Sequence, residues 1–435
     1  MPSHLPRSVR ESLWVLKYFF LEQKDALVSN SQEPVHNPLA GRMSRRRAVG
    51  TLAVSGLATG LSTTLPHDML AQNETPSSQI TGPDGTTPFN FRLGASESKA
   101  FPAGHARTAT VGEMSVLSGL SINTVEIDVG SVREVHWHPN ASEINYCLGG
   151  QGTIGILSTS GDPATFPITA GSITFVPVGD AHYIRNTGSE PLQLLIGFSH
   201  EHPEHLDFSQ VMPWVPTAFI GQTLGVAPGL LPNFPPRGDG TIVPVENMNA
   251  SDRGVQSLVT PFSTHIDTLR VQQFGGGSVQ PLRLDDIARL EGMTLLKLNI
   301  DGGALREPHW HGNASEFNYC VSGRAQVGIV GPTGESWTFV VEPGDVGYIP
   351  NNWFHYIASV SDEPLVLLAF FDNIAPSRID LSTLTGYFPA EVLAASLEVD
   401  PEIFASLSKG KTVVIAPALS SGGAPEGTPA ATPST

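Results

Sequence analysis

Arg133-Glu134-Val135-His136-Trp137-His138 and, 173 positions later, Arg306-Glu307-Pro308-His309-Trp310-His311 are the stretches that decide how this chain folds. A glutamate follows each of them, Glu143 in the first case and Glu316 in the second, and then a further histidine, His182 or His355. Gly171, Pro177 and Cys147 have counterparts at the same offset in Gly344, Pro350 and Cys320. Four potential metal ligands repeated in register imply two similar domains, each built around a metal.

Strand geometry explains the spacing. His136 and His138 stand at i and i+2, so on a strand both rings point to one face. Glu143 lies an odd number of residues from both, so an unbroken strand would aim it at the opposite face. A break is therefore required, and Pro139-Asn140 supplies the turn chemistry, as Gly312-Asn313 does in the second copy. His182 arrives beyond a Gly171…Pro177 segment that reads as a further strand. Three imidazoles and one carboxylate then converge from several strands, and on an octahedral ion two positions stay open for a substrate. The carboxylate and the lack of thiolate favour manganese or iron over a closed structural zinc site, with a purely structural metal as the plain alternative.

Gly130…His136-x-His138…Glu143…Gly150 resembles the first cupin motif, and Gly171…Pro177-x-Gly179…His182…Asn186 resembles the second. The second copy keeps Gly303, His309, His311, Glu316, Gly323, Gly344, Pro350 and His355, and departs at Asn352 and Ser359, neither a ligand. The resemblance implies an all-β chain of two tandem cupin barrels (double-stranded β-helix, jelly-roll) with short flanking helices. Among bicupins, Arg-Glu-x-His-Trp-His, the run Pro343 to Pro350 and the run Phe388 to Glu391 resemble the oxalate decarboxylases. The likeness covers roughly residues 88 to 415.

That resemblance implies Mn(2+) in each barrel and dioxygen as a redox partner that is not consumed. The reaction it implies converts oxalate to formate and carbon dioxide. Arg133 would hydrogen-bond the distal carboxylate of the substrate, and Arg306 is its counterpart. The family takes its proton from a glutamate on a mobile lid after the last strands of the first barrel. Here that loop reads Ser199 to Asp207, and Glu204 is the expected donor, with Glu201, His205 and Asp207 as competitors. Such an acid needs a pKa raised by lid closure and desolvation. Ala369 stands where the second barrel of the family often has a glutamate, so catalysis is expected in the first barrel and a supporting metal in the second. An oxidase yielding carbon dioxide and hydrogen peroxide, and a non-enzymic metal-binding bicupin, are the alternatives. Bicupins commonly form trimers or hexamers, so a homo-oligomer is expected.

The 435 residues leave room for two domains and extras, and 44 glycines with 36 prolines suit turn-rich all-β architecture. A net charge of −17 argues against nucleic acid and anionic membrane as partners, while Arg133 and Arg306 still allow an anionic substrate. The two cysteines read as small core residues in separate barrels. Asn145 and Asn318 share the inward face with the ligand glutamates. Residues 1–71 read as an N-terminal extension, in which Ser44-Arg45-Arg46-Arg47 and the apolar run to Leu65 resemble a twin-arginine export signal, with Met43 as an alternative start. Export to the periplasm or beyond is expected. Residues 72–226 read as the first domain, 227–250 as a Pro-rich linker, 251–415 as the second domain and 416–435 as a disordered tail. Two short helices are expected over Pro389 to Leu397 and Pro401 to Leu407, the second capped by Asp400.

Overall fold

The computed structural model describes residues 87–232, 234, 242–245, 260–405, 407 and 413–417. The expected leader and nearly all of the expected tail lie outside the described residues. Among the described residues no helix is long and apolar enough to cross a membrane.

The break demanded by Glu143 is a change of sheet. Strand Ser131–Trp137 ends just before Pro139, and Glu143–Gly149 begins in the facing sheet. Each barrel is a pair of facing sheets, one of seven strands and one of six. In the first barrel Ser131–Trp137 pairs with Ala181–Asn186, opposite the sheet that holds Glu143–Gly149, Leu192–Phe198 and Ser121–Ile127. The second barrel repeats this with Leu305–Trp310 and Phe354–Ser359 against Glu316–Ser322, Leu365–Phe371 and Thr294–Ile300.

The repeat extends well beyond the motifs. Lys99–Phe101 corresponds to Gln272–Phe274, and Ile242–Pro244, inside the stretch read as a linker, to Ile415–Ala416. Both of the latter strands pair with the strand that carries the arginine. The barrels also exchange edge strands. Asn90–Phe91 precedes the first barrel but pairs with Val346–Ile349 of the second, and Ser263–His265 returns the exchange by pairing with Ser172–Val176 of the first. Pairing each edge this way covers backbone groups that would otherwise invite foreign strands.

The seven-stranded sheets are buried on both faces, which is why Leu192–Phe198 reads as a nearly continuous apolar run. One face lines the barrel interior. The other joins a single core in which Ile122, Ile144 and Leu195 pack with Phe317, Phe370 and Leu368. A Cβ on Gly197 would lie 2.3 Å from the Phe370 ring, so glycine is needed for this approach. The left-handed turn held by Gly179 (φ 80°) is taken by Asn352 (φ 66°) in the second barrel. Asparagine tolerates that conformation, so the departure from the motif changes no geometry.

The helices follow the strands. Ala390–Leu397 starts after Pro389, and Glu402–Ala405 is shorter than the expected Pro401–Leu407, with Asp400 accepting from the Glu402 N–H at 2.9 Å. Further helices at Phe208–Val211, Thr217–Leu224 and Leu381–Tyr387 had no counterpart in the expectations from sequence.

Candidate metal centre

Antiparallel pairing sets His182 directly opposite His136, and Glu143 reaches across from the facing sheet. The ligand atoms of His136, His138, Glu143 and His182 all lie within 4.8 Å of one another, as do those of His309, His311, Glu316 and His355. All eight side chains are buried. The structure therefore brings together every ligand expected from sequence.

Backbone carbonyls orient the rings. His136 Nδ1 lies 2.7 Å from Glu134 O, His138 Nδ1 2.7 Å from Glu204 O and His182 Nδ1 3.1 Å from Asp180 O. A carbonyl only accepts, so each Nδ1 carries the hydrogen and each Nε2 turns its lone pair inward. The second barrel does the same through Glu307 O, Ser377 O and Trp353 O. The Nε2 atoms of His138, His182, His311 and His355 are buried and make no hydrogen bond. Glu143 Oε2 lies 2.9 Å from His138 Nε2 and 3.5 Å from His182 Nε2, close but without hydrogen-bond geometry. Buried lone pairs converging on one carboxylate need a cation between them, so the residues fit a divalent metal.

The electrostatics agree. Burial holds His136 well below its ordinary pKa, helped by Arg133 and the other two histidines, so the ring stays neutral and able to ligate. Burial alone would raise Glu143, but His182 and His138 pull it well below the carboxylate range. His309 and Glu316 behave alike. Asn145 and Asn318 are more than polar wall: each donates to its ligand glutamate, at 2.6 and 2.9 Å. These bonds leave the second carboxylate oxygen facing the histidines.

Arg133 lines the first cavity and donates to Asp207 at 2.7 Å. Arg306 donates to Asp380 at 2.7 Å and to Val414 O at 2.9 Å, and is itself buried. Sequence reading treated Asp207 only as a possible acid. Asp207 and Asp380 are repeat equivalents, and that offset was the signal that could have assigned them to the arginines.

The loop after Leu192–Phe198 packs closely on the site. Glu201 is tied to the Gly119 N–H at 2.8 Å, and that bond holds it below its ordinary pKa, so it is poorly suited to donate a proton. Glu204 gives its backbone carbonyl to His138 and its N–H to Asn140, while its side chain is exposed and outside the cavity wall. Its neighbours Pro203 and His205 line the cavity. Burial, then Arg133, lowers His205.

The cavities differ. The first has a volume of about 220 Å³ and the second about 60 Å³. A further cavity of about 380 Å³ shares Val279, Leu296, Pro376 and Arg378 with the smaller one, so the second barrel also has space close to its ligand set.

Comparison with known proteins agrees with this geometry. The cupin family model matches residues 93–229 and again 267–404. Oxalate decarboxylase OxdC of Bacillus subtilis is 25% identical over 355 residues, covering 80% of this chain and 90% of that protein. An oxalate decarboxylase of Arthroderma benhamiae is 25% identical over 358 residues, covering 75% of this chain and 83% of that one. The fold matches the solved Bacillus subtilis oxalate decarboxylase at pH 4.6 with a TM-score of 0.71 at 23% identity, over 83% of this chain and 96% of that one. A further structure of that protein, concerned with its Mn(II) centres, gives 0.69 at 23% identity over 82% of this chain and 97% of that one. The chain belongs to the cupin family and is a bicupin of the oxalate decarboxylase family.

Proposed function

We propose that the first barrel is a manganese-dependent oxalate decarboxylase site, converting oxalate and a proton to formate and carbon dioxide. The observation that carries this reading is the buried His136, His138, Glu143 and His182 set, which opens into a cavity that Arg133 also lines. The Mn(II) centres and oxalate decarboxylase activity named for the relatives support it. A bound Mn(2+) would supply Lewis acidity and, with dioxygen, one-electron chemistry.

The chain's own residues do the rest. Arg133, braced by Asp207, presents N–H donors to the carboxylate distal to the metal and stabilises charge as the carbon–carbon bond breaks. Phe198, Ile184, Ile196 and Ile242 in the wall exclude water and strengthen that interaction. The formate carbon then takes a proton, and Glu204 is its source in this reading. Its neighbours Pro203 and His205 are wall residues, and this reading requires its exposed carboxylate to turn inward. Arg306 lines the smaller second cavity while bonded to Asp380 and Val414 O, and this reading gives it and the second metal a supporting role.

An oxidase outcome is the second reading, favoured by the outward placement of the Glu204 side chain. Manganese-loaded protein given oxalate at mildly acidic pH, with formate and peroxide quantified together, separates the two. Formate that falls sharply in Glu204→Gln supports decarboxylation through that acid. Peroxide without formate supports the oxidase, and neither product leaves a metal-binding bicupin.

Two further points belong to the same proposal. Exposed apolar side chains recur at repeat-equivalent helix positions, Trp214 with Tyr387, Phe219 with Val392 and Leu224 with Leu397, and support a homo-oligomer such as a trimer or hexamer. Ser44-Arg45-Arg46-Arg47 supports export by the twin-arginine route, which carries proteins already folded around their metal. Replacing the arginines by lysine would retain the protein inside the cell.

A further inference from the structure

The 173-residue offset matches the free space of the two barrels residue by residue. In the first barrel Lys99, Ala106, Thr108, Thr110, Asn123 and His205 line one cavity together with metal ligands. Their counterparts Gln272, Val279, Pro281, Arg283, Leu296 and Arg378 line the outer space of about 380 Å³ in the second barrel, which no metal ligand reaches. Val279, Leu296, Pro376 and Arg378 also line the inner space of about 60 Å³, so they form the partition between the two. Val279, Leu296 and Arg378 are larger than the Ala106, Asn123 and His205 they correspond to, and that bulk cuts one cavity into two.

The outer chamber has a chemistry of its own. Its wall takes in the buried Leu282 and Leu295 together with Leu284 and Ile374, which are open to solvent. The side chains around it that carry polar groups are Gln272, Thr294, Arg283 and Arg378, with no carboxylate among them. In a chain with a net charge of −17, an apolar chamber with two arginines and no acid is complementary to an anion with an apolar body. Thr110, His205 and Glu201 stand at the positions of Arg283, Arg378 and Ile374 in the first barrel, so this combination belongs to the second alone. Arg378 Nε donates to Asp380 at 2.9 Å, which fixes the plane of the guanidinium and leaves the donors of both Nη groups for a ligand. Its side chain is 40% exposed. Two coplanar Nη groups match the two oxygens of a carboxylate.

We infer that the outer chamber of the second barrel binds monocarboxylates with an apolar tail. The carboxylate lies on Arg378 and the tail among Leu282, Leu284, Leu295 and Ile374. Benzene fills a cavity of about 150 Å³, so this chamber takes a tail of roughly six to eight carbons. The site is separate from both metals and stands whether or not the first barrel acts on oxalate.

The test is calorimetric titration of the manganese-loaded protein with acetate, butyrate, hexanoate and hexan-1-ol, with the Mn(2+) spin-resonance spectrum followed in parallel. Affinity should rise about 3-fold or more per methylene from butyrate to hexanoate as the tail is buried. Hexan-1-ol, which lacks the charge, should bind at least ~10-fold more weakly than hexanoate. Arg378→Gln should lower the affinity for hexanoate by about 10-fold. Ala375→Trp should abolish binding by filling the chamber; Ala375 is an exposed wall residue whose hydrogen bonds are made by its backbone. Hexanoate should leave the manganese spectrum unchanged, because the partition keeps it off the ligands. No hexanoate binding, affinity indifferent to tail length, binding that persists in both variants, or a spectrum that moves in step with the heat each overturns the inference.

Discussion

The two barrels hold their metal sites with the same atoms and differ in the space beside them. In each, a carbonyl fixes every histidine ring, an asparagine holds the glutamate and an aspartate holds the arginine. At the ligands themselves the cavity is about 220 Å³ in the first barrel and about 60 Å³ in the second, where Val279, Leu296, Pro376 and Arg378 divide it from a neighbouring space of about 380 Å³. The ligands come from strands that keep their pairing in both copies, while the free space is set by side chains on neighbouring strands. The ligand set and the shape of the space beside it are thus separable parts of one scaffold.

The sharpest way to break this comparison is to remove a matched ligand from each barrel. His182→Ala and His355→Ala should each lower the metal content from two ions to one, read by elemental analysis. Only His182→Ala should abolish turnover, by ~10³-fold or more. Equal losses would show that the barrels share the chemistry.

The arginines should then separate function from stability. Arg133→Ala should lower kcat/KM for oxalate by ~10²-fold or more, since a donor to developing charge is lost. Arg306→Ala leaves Asp380 with Arg378 alone, which donates to its other oxygen at 2.9 Å, and should cost roughly 1–3 kcal/mol in urea unfolding. Arg133 is 13% exposed, but it pairs with Asp207, whose side chain is 1% exposed, so its loss should destabilise at least as much.

A smaller effect is expected where the barrels meet. Gly197 and Phe370 are repeat equivalents and face each other, small against large. Gly197→Ala should cost about 1–3 kcal/mol by overpacking, and Phe370→Leu together with it should recover part of that loss.

The cysteines should show least difference. Burial pushes Cys147 up to about 11 and Cys320 up to about 12. Both therefore stay protonated at pH 8, and a thiol reagent should label neither until the protein unfolds. Above about pH 9 the unfolded chain loses these protons while the folded one keeps them, so stability should fall as pH rises. Rapid labelling of one cysteine in the folded state would break the symmetry.

The ligands, the duplication and the break before Glu143 are all legible in the amino-acid order. These follow from strand periodicity and a repeat without gaps, both of which are local or strictly periodic signals. The 173-residue offset also pairs Asp207 with Asp380. Which groups the aspartates bind, which strands the barrels exchange and how the space beside each ligand set is shaped emerge only in three dimensions. Each of those depends on residues far apart in the chain that meet by sheet register. Leu296 and Arg378 carry no motif, and they acquire meaning only when the fold sets them together between two cavities. Glu204 shows the same division: its position in the chain suggested an acid, and the fold gave its backbone carbonyl, rather than its carboxylate, to the metal histidine.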